Sequence, residues 1–202
     1  MDDAALVARA LAGDCDAFAV LVREHGSAIL RLALRMLPSR ESAEDLAQET
    51  FLRAYSSLAK YDARYPFRPW LYRIASNLCI DALRRRRAEP PSVSMDEVPE
   101  GTVLGRGAAA AGGVGSWTPR VGDPVLESER AEVTAAVRAA VRDLAPEYRL
   151  LVVMAHFEGM KNDEIAQATG LSPSIVKNRL YRARRMLRQK LSGLMGAGVL
   201  DR

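Results

Sequence analysis

Residues 162–187, NDEIAQATGLSPSIVKNRLYRARRML, place a short apolar helix, a glycine break, a serine–proline start and a long cationic helix in immediate succession. Asn162 can cap the short helix, Ile165 and Ala166 face inward, and Gly170 lets the chain turn with positive φ. Ser172 then reads as an N-cap and Pro173 as the first residue of the next helix. On that helix Val176, Leu180, Ala183 and Leu187 share one face, which leaves Ser174, Lys177, Asn178, Tyr181, Arg182 and Arg185 on the other. This is the spacing of a helix-turn-helix. A run of cations alone is most often a solvated helix face, but here turn, cap and inward stripe coincide with the charge. Such a face suits the major groove: Arg and Lys reach guanine acceptors, Asn can read adenine, and surplus arginines hold phosphates.

Immediately upstream, Val133, Val137, Ala140, Val141 and Leu144 predict a helix that ends before Pro146, and EYRLLVVMAHFEG, residues 147–159, predicts another. Residues 88–125 crowd proline and glycine without any apolar period and read as a flexible linker. Charge divides along the same lines. Residues 1–87 hold 14 basic and 11 acidic side chains, the linker 2 and 5, and residues 126–202 hold 13 and 9. Two basic flanks and an acidic tether are therefore concealed in a net charge of +4 and a pI near 9.3, a balance that favours a polyanionic partner.

The first flank is helical as well. Phe18, Leu21, Val22, Ile29, Leu32 and Met36 recur at helical spacing until Pro38. A second helix is expected from about Ser42, with Ser39 or Ser42 as N-cap and Ala43, Leu46, Ala47, Phe51, Ala54 and Leu58 on its inner face. Asp45, Gln48, Glu49 and Leu52 form the opposite face. The turn-rich KYDARYPFR, residues 60–68, leads to Pro69 as the expected first position of a third helix, with Trp70, Ile74, Leu78 and Ala82 as its apolar stripe. Its other face shows Arg73, Ser76, Asn77 and Arg84, and it ends in four arginines, Arg84 to Arg87, a footprint for a phosphate backbone. Aromatics among cations, as between Lys60 and Trp70, are what stacking on unpaired bases requires. Core packing suits Phe67 and Trp70 better, leaving Tyr61 and Tyr65 as the base-facing candidates.

No alternating β pattern and no repeat of 20 to 50 residues occurs, so the fold class is all-α: two small helical domains joined by a linker. The expected boundaries are 1–87, 88–125, 126–192 and a tail, 193–202. The opening residues carry two acids and lack the basic start of a signal peptide, and no apolar run approaches a membrane span, so a cytoplasmic location is expected. Cys15 and Cys79 lie far apart with no CxxC, and His25 and His156 sit near neither, so no metal, disulfide or cofactor is expected. No nucleophile with a base, carboxylate pair or phosphate loop is visible, which argues against an enzyme.

Two stretches carry a family resemblance. AEDLAQETFLRAY, residues 43–55, followed by WLYRIASNLCIDALRRRR, residues 70–87, closely resembles the second conserved region of extracytoplasmic-function sigma factors. Residues 144–187, LAPEYRLLVVMAHFEGMKNDEIAQATGLSPSIVKNRLYRARRML, resemble their fourth region, in the right order. The resemblance implies a region 2 helical bundle and a region 4 helix-turn-helix, and a factor that binds core RNA polymerase, directs it to promoters and helps to open the DNA. It implies that Asp45, Gln48, Glu49 and Leu52 dock on a coiled coil of the largest polymerase subunit. It assigns the minus 10 element to Tyr61, Tyr65, Arg73, Asn77, Arg84 and Arg85, with Tyr61 and Asn77 as melting or readout candidates. The minus 35 element falls to Ser174, Lys177, Asn178, Tyr181, Arg182 and Arg185. An anti-sigma factor is the expected regulator. Ile175 and Asn178 stand where family members often carry Thr and Ser, and Pro69 sits unusually close before Trp70. The alternative is a repressor or activator with a ligand-sensing first domain, which would require a pocket of convergent polar groups there.

Overall fold

The computed structural model describes residues 2–88 and 124–195. Nearly all of the expected linker and most of the expected tail lie outside the described residues. Among the described residues all regular structure is helical, as the periodicity predicts.

The first domain opens with a helix that the sequence reading did not anticipate, α1 (Asp3–Leu11). Asp2 caps it, its carboxylate accepting from the Ala4 N–H at 3.1 Å, and Leu6, Val7 and Ala10 are buried. Asp14 starts α2 (Cys15–Met36) by accepting from the Ala17 N–H at 3.1 Å. The Arg9 guanidinium, at 2.6 Å, and that cap bond together hold the Asp14 carboxyl below the usual carboxylate range. Leu21, Ile29, Leu32 and Met36 line the buried side of α2, while Phe18 and Val22 are only half-buried.

The next helix, α3 (Arg40–Ser56), begins two residues before the expected Ser42, because Ser39 is the cap: its Oγ accepts from the Ser42 N–H at 3.1 Å. Ser39→Ala leaves that donor to water and should cost about 1 kcal/mol of unfolding free energy, read from a denaturant midpoint shift at constant slope. After a 3₁₀ turn, Leu58–Lys60, comes α4 (Phe67–Ala88). Pro69 is thus the third residue of α4 and is buried, not the first as expected. The helix tolerates it because a first-turn N–H has no intrahelical acceptor to lose. Ser76 also departs from expectation. It is 2% exposed, with its hydroxyl donating to the Tyr72 carbonyl at 2.5 Å, so it belongs to the interior and not to the open face.

The second domain comprises α5 (Pro124–Arg142), α6 (Pro146–Val152), a π turn at Val153–Phe157, α7 (Asn162–Thr169) and α8 (Pro173–Met195). Asn162 is the first residue of α7 and not its cap. The Lys161 N–H there is satisfied by Glu164, whose Oε2 accepts it at 2.7 Å, the returning half of a capping box. Gly170 ends α7 in the left-handed region with φ +70°, and Ser172 Oγ accepts from the Ile175 N–H at 3.4 Å to start α8. Both read directly from the sequence.

The two domains pack on each other. Helix α7 lies against α4, and the buried side chains of both halves form one continuous cluster. An Arg149 guanidinium N–H from α6 donates to the Met36 carbonyl at the end of α2, at 2.9 Å.

Candidate nucleic-acid and docking interfaces

The outer face of α8 follows from its inner one. Val176, Leu180 and Ala183 are at most 3% exposed and Leu187 packs on their cluster, so Ser174, Lys177, Asn178, Tyr181, Arg182 and Arg185 are all turned outward. Tyr181 is 70% exposed. The helix therefore offers cations, an amide and a phenol on one exposed side, with its N-terminal turn beside the Gly170 bend. Chemically, that arrangement is able to donate to base edges and to phosphates.

On α3 the residues Asp45, Gln48 and Leu52 are exposed and Glu49 is half-exposed, its carboxylate accepting from Arg53 Nε at 2.6 Å one turn on. Leu52, at 67% exposure, is unusual for a leucine and stands at the lip of an apolar groove between α2 and α3. Phe18, Val22, Leu30, Phe51 and Tyr55 line it, with Phe18 and Tyr55 in edge-to-face contact at 4.9 Å. The acidic face was legible in the sequence, but the groove beside it was not. The signal was the pair Leu52 and Tyr55, apolar at a spacing of three on the outer side of a helix whose inner side is already complete.

The loop before α4 gathers aromatic rings around Phe67, which is 1% exposed. Tyr61 lies 5.6 Å from Phe67 and 5.3 Å from Trp70, and Phe67 lies 5.4 Å from Trp70. The Tyr61 hydroxyl donates to the Tyr65 carbonyl at 2.6 Å, so it braces the loop. Burial first, then the nearby Asp3, Asp2 and Asp62, raise the Tyr61 phenol above its ordinary pKa and keep it a neutral donor. Tyr65 is 55% exposed and is the freer ring of the two. Beside it, Arg64 holds the Asp62 carboxyl low through a paired contact at 2.6 Å.

Lys60, Tyr61, Tyr65, Trp70 and Arg73 line one cleft, with Gln167 of α7 on its far wall. Asn77 and Arg84, about one and three turns farther along α4 than Arg73, line a second cleft with Thr169, Leu171 and Arg179 opposite. Arg73, Asn77, Arg84 and Arg85 are all exposed. The six candidates therefore spread over two clefts and the helix end, with Tyr61, Tyr65 and Arg73 brought together. Cys15 is exposed, whereas Cys79 is buried among apolar side chains that push its thiol up to about 12. Among the described residues no three His, Cys, Asp or Glu side chains are grouped to hold a metal ion, and no helix is long and apolar enough to cross a membrane.

Two family models match the chain, Sigma-70 region 2 over residues 21–89 and Sigma-70 region 4 over residues 134–187. The extracytoplasmic-function (ECF) RNA polymerase sigma factor SigW of Bacillus subtilis is 32% identical over 90% of this chain and 92% of its own length. The RNA polymerase sigma-H factor of Pseudomonas aeruginosa is 31% identical over 96% of this chain and 95% of its own. Among solved structures, CnrH, determined in complex with the cytosolic domain of CnrY, matches with a TM-score of 0.64 and 28% identity, covering 97% of this chain and 98% of that one. RpoE of Bartonella quintana, determined with the anti-sigma factor NepR, shares the fold with a TM-score of 0.61 at 19% identity, over 92% of this chain and 98% of that one. On the two regions in order and on the full-length likeness to SigW, the chain belongs to the sigma-70 family as an extracytoplasmic-function sigma factor, a transcription-initiation factor that binds core RNA polymerase and directs it to promoters.

Proposed function

We propose that Asp45, Gln48, Glu49 and Leu52 dock on the coiled coil of the polymerase largest subunit, with the neighbouring groove receiving an apolar residue of that partner. The observation that carries this reading is Leu52, two-thirds exposed among carboxylates at the edge of an apolar groove. Such a patch, apolar at its centre and polar at its rim, is how protein interfaces are built. The second domain, residues 126–192, reads the minus 35 element through Ser174, Lys177, Asn178, Tyr181, Arg182 and Arg185. The first, residues 1–87, engages the minus 10 element. Tyr65 stacks on an unpaired base there, while Tyr61 braces the loop, Arg73, Arg84 and Arg85 hold phosphates and Asn77 reads a base edge. Base extrusion costs a few kcal/mol, which stacking worth about 1–3 kcal/mol per base offsets.

The factor works in the cytoplasm, as a binding protein and not as an enzyme, and is held in check by an anti-sigma factor. In support, CnrH, alike over nearly the whole chain, was determined with a bound protein domain. In vitro transcription with purified core polymerase on a promoter library tests the assignment. Promoter-specific transcripts are expected, and Lys177→Ala with Arg182→Ala should remove minus 35 dependence while leaving core association intact. Duplex DNA binding without core association or transcripts overturns it in favour of a ligand-sensing repressor.

A further inference from the structure

Glu158 is the sole buried carboxylate among the described residues, its side chain 1% exposed. It sits just after the π turn, whose wider winding lets the Glu158 N–H reach the Val153 carbonyl at 3.1 Å, and just before Gly159 with φ +64°. Among the described residues, every group on its carboxylate belongs to the other domain. Arg35 Nη1 approaches Oε1 at 3.2 Å, Arg31 Nη2 approaches Oε2 at 3.4 Å, and the Tyr72 hydroxyl donates to Oε2 at 3.0 Å. Arg68 Nη2 donates to the Glu158 carbonyl at 2.5 Å, and Arg35 stacks 4.6 Å above the Phe157 ring. A carboxylate is buried at tolerable cost only when paired and hydrogen-bonded, and here all the pairing comes from across the domain boundary.

What the closed arrangement narrows is specific. Gln167 walls the cleft of Tyr61, Tyr65 and Arg73, while Thr169, Leu171 and Arg179 stand opposite Asn77 and Arg84. The α8 face stays open. Two promoter elements about 25 base pairs apart are separated by about 85 Å along the duplex. Two touching domains, each with a radius of gyration of about 13 Å, do not span that distance. A connection running from residue 88 to residue 124 is long enough, at about 3.3 Å per residue, to let them separate by more than 100 Å.

We propose that Glu158 is a latch. Its contacts with Arg31, Arg35, Arg68 and Tyr72 hold the domains in a closed form in which α7 walls one side of the clefts assigned above to the minus 10 strand and narrows the approach to them, and promoter engagement requires the latch to open. The latch itself stands on the contacts alone; its consequence for DNA rests on that assignment. Replacing the carboxylate with an amide removes its ion pairs with the partly exposed Arg31 and Arg35 and leaves the buried cluster around the Tyr72 hydroxyl one acceptor oxygen short in the closed form, a deficit that opening relieves by hydration, so substitution favours the open form.

The test uses the full chain labelled for energy transfer at the native, exposed Cys15 and at Gln189→Cys on α8, with binding of a mixed-sequence single strand of about 12 nucleotides measured in parallel. Glu158→Gln should lower transfer efficiency and raise affinity for the strand at least tenfold. Tyr72→Phe, which keeps the ring and removes one donor, should move both readouts in the same direction by a smaller amount, and decides the matter if Glu158→Gln loses helix content. Unchanged transfer in a folded variant overturns the latch. Reduced transfer without a gain in affinity overturns the obstruction of the minus 10 clefts by α7. Absence of transcripts from wild type with core polymerase leaves the latch standing and removes the functional assignment instead.

Discussion

Leu52→Asp should abolish measurable association with core RNA polymerase and promoter-specific transcription, with little change in thermal stability. Leu52 is 67% exposed, and substitutions at such surface positions stay within about 0.5 kcal/mol of wild type. At the proposed interface the same change removes the burial of a leucine, about 1.5–3 kcal/mol. It also places an unpaired carboxylate where water is excluded, at a further cost of about 1–3 kcal/mol. Together these predict a loss of at least about 60-fold in affinity, since each 1.4 kcal/mol is a factor of ten. Fluorescence anisotropy of the labelled protein titrated with core polymerase reads this directly. Asp45→Asn and Gln48→Ala serve as graded companions: rim groups change association rate and salt dependence more than affinity, so each should cost less than tenfold. Wild-type affinity in Leu52→Asp would place the docking face elsewhere on the first domain.

The elements most legible in the sequence were those set by local rules. The α7–Gly170–α8 unit needed only a left-handed glycine, a serine cap and an apolar stripe, and the structure has all three. The acidic face of α3 was likewise fixed by helical spacing around Ala43, Leu46, Phe51 and Ala54. Local rules missed by one or two residues at helix starts: α3 begins at Arg40 and not at about Ser42, its cap being Ser39, one of the two serines expected; Lys161 with Glu164 caps α7 in place of Asn162; and α4 begins at Phe67 and not at Pro69. Helix α1 passed unnoticed because nine residues give only about two and a half turns of periodicity, although Asp2 and the Leu6, Val7, Ala10 trio marked it.

Long-range pairing lay beyond any reading of spacing. Nothing in AHFEG marks Glu158 as different from any surface glutamate, since its burial depends on side chains 86 to 127 positions away in the chain. Ser76 was misplaced for a related reason. An amphipathic helix has one polar face when one side is covered, but α4 is covered by its own bundle and by α7, so a small hydroxyl that satisfies itself on the Tyr72 carbonyl fits inside.

Phe67→Ala should be the most damaging single truncation in the first domain, and it connects stability to the nucleic-acid face. Phe67 is 1% exposed, and its ring contacts His25, Tyr61 and Trp70 at centroid distances of 5.4 to 5.6 Å. Removing a buried phenylalanine costs about 3–5 kcal/mol, through lost transfer energy and the cavity left behind. For a domain of this size each kcal/mol moves the midpoint by about 4–8 °C, so a fall of at least about 12 °C is expected by calorimetry. Phe67→Leu, which fills most of the volume, should recover more than half of it. The two variants also separate packing from binding. Tyr61 and Trp70 rest on the Phe67 ring, so Phe67→Leu at a temperature where the protein is fully folded should still weaken single-strand binding, by loosening the loop that presents Tyr65. Full strand affinity in folded Phe67→Leu would mean that the aromatic cluster is core alone, and the minus 10 contacts would then be carried by Arg73, Asn77 and the arginines at the end of α4.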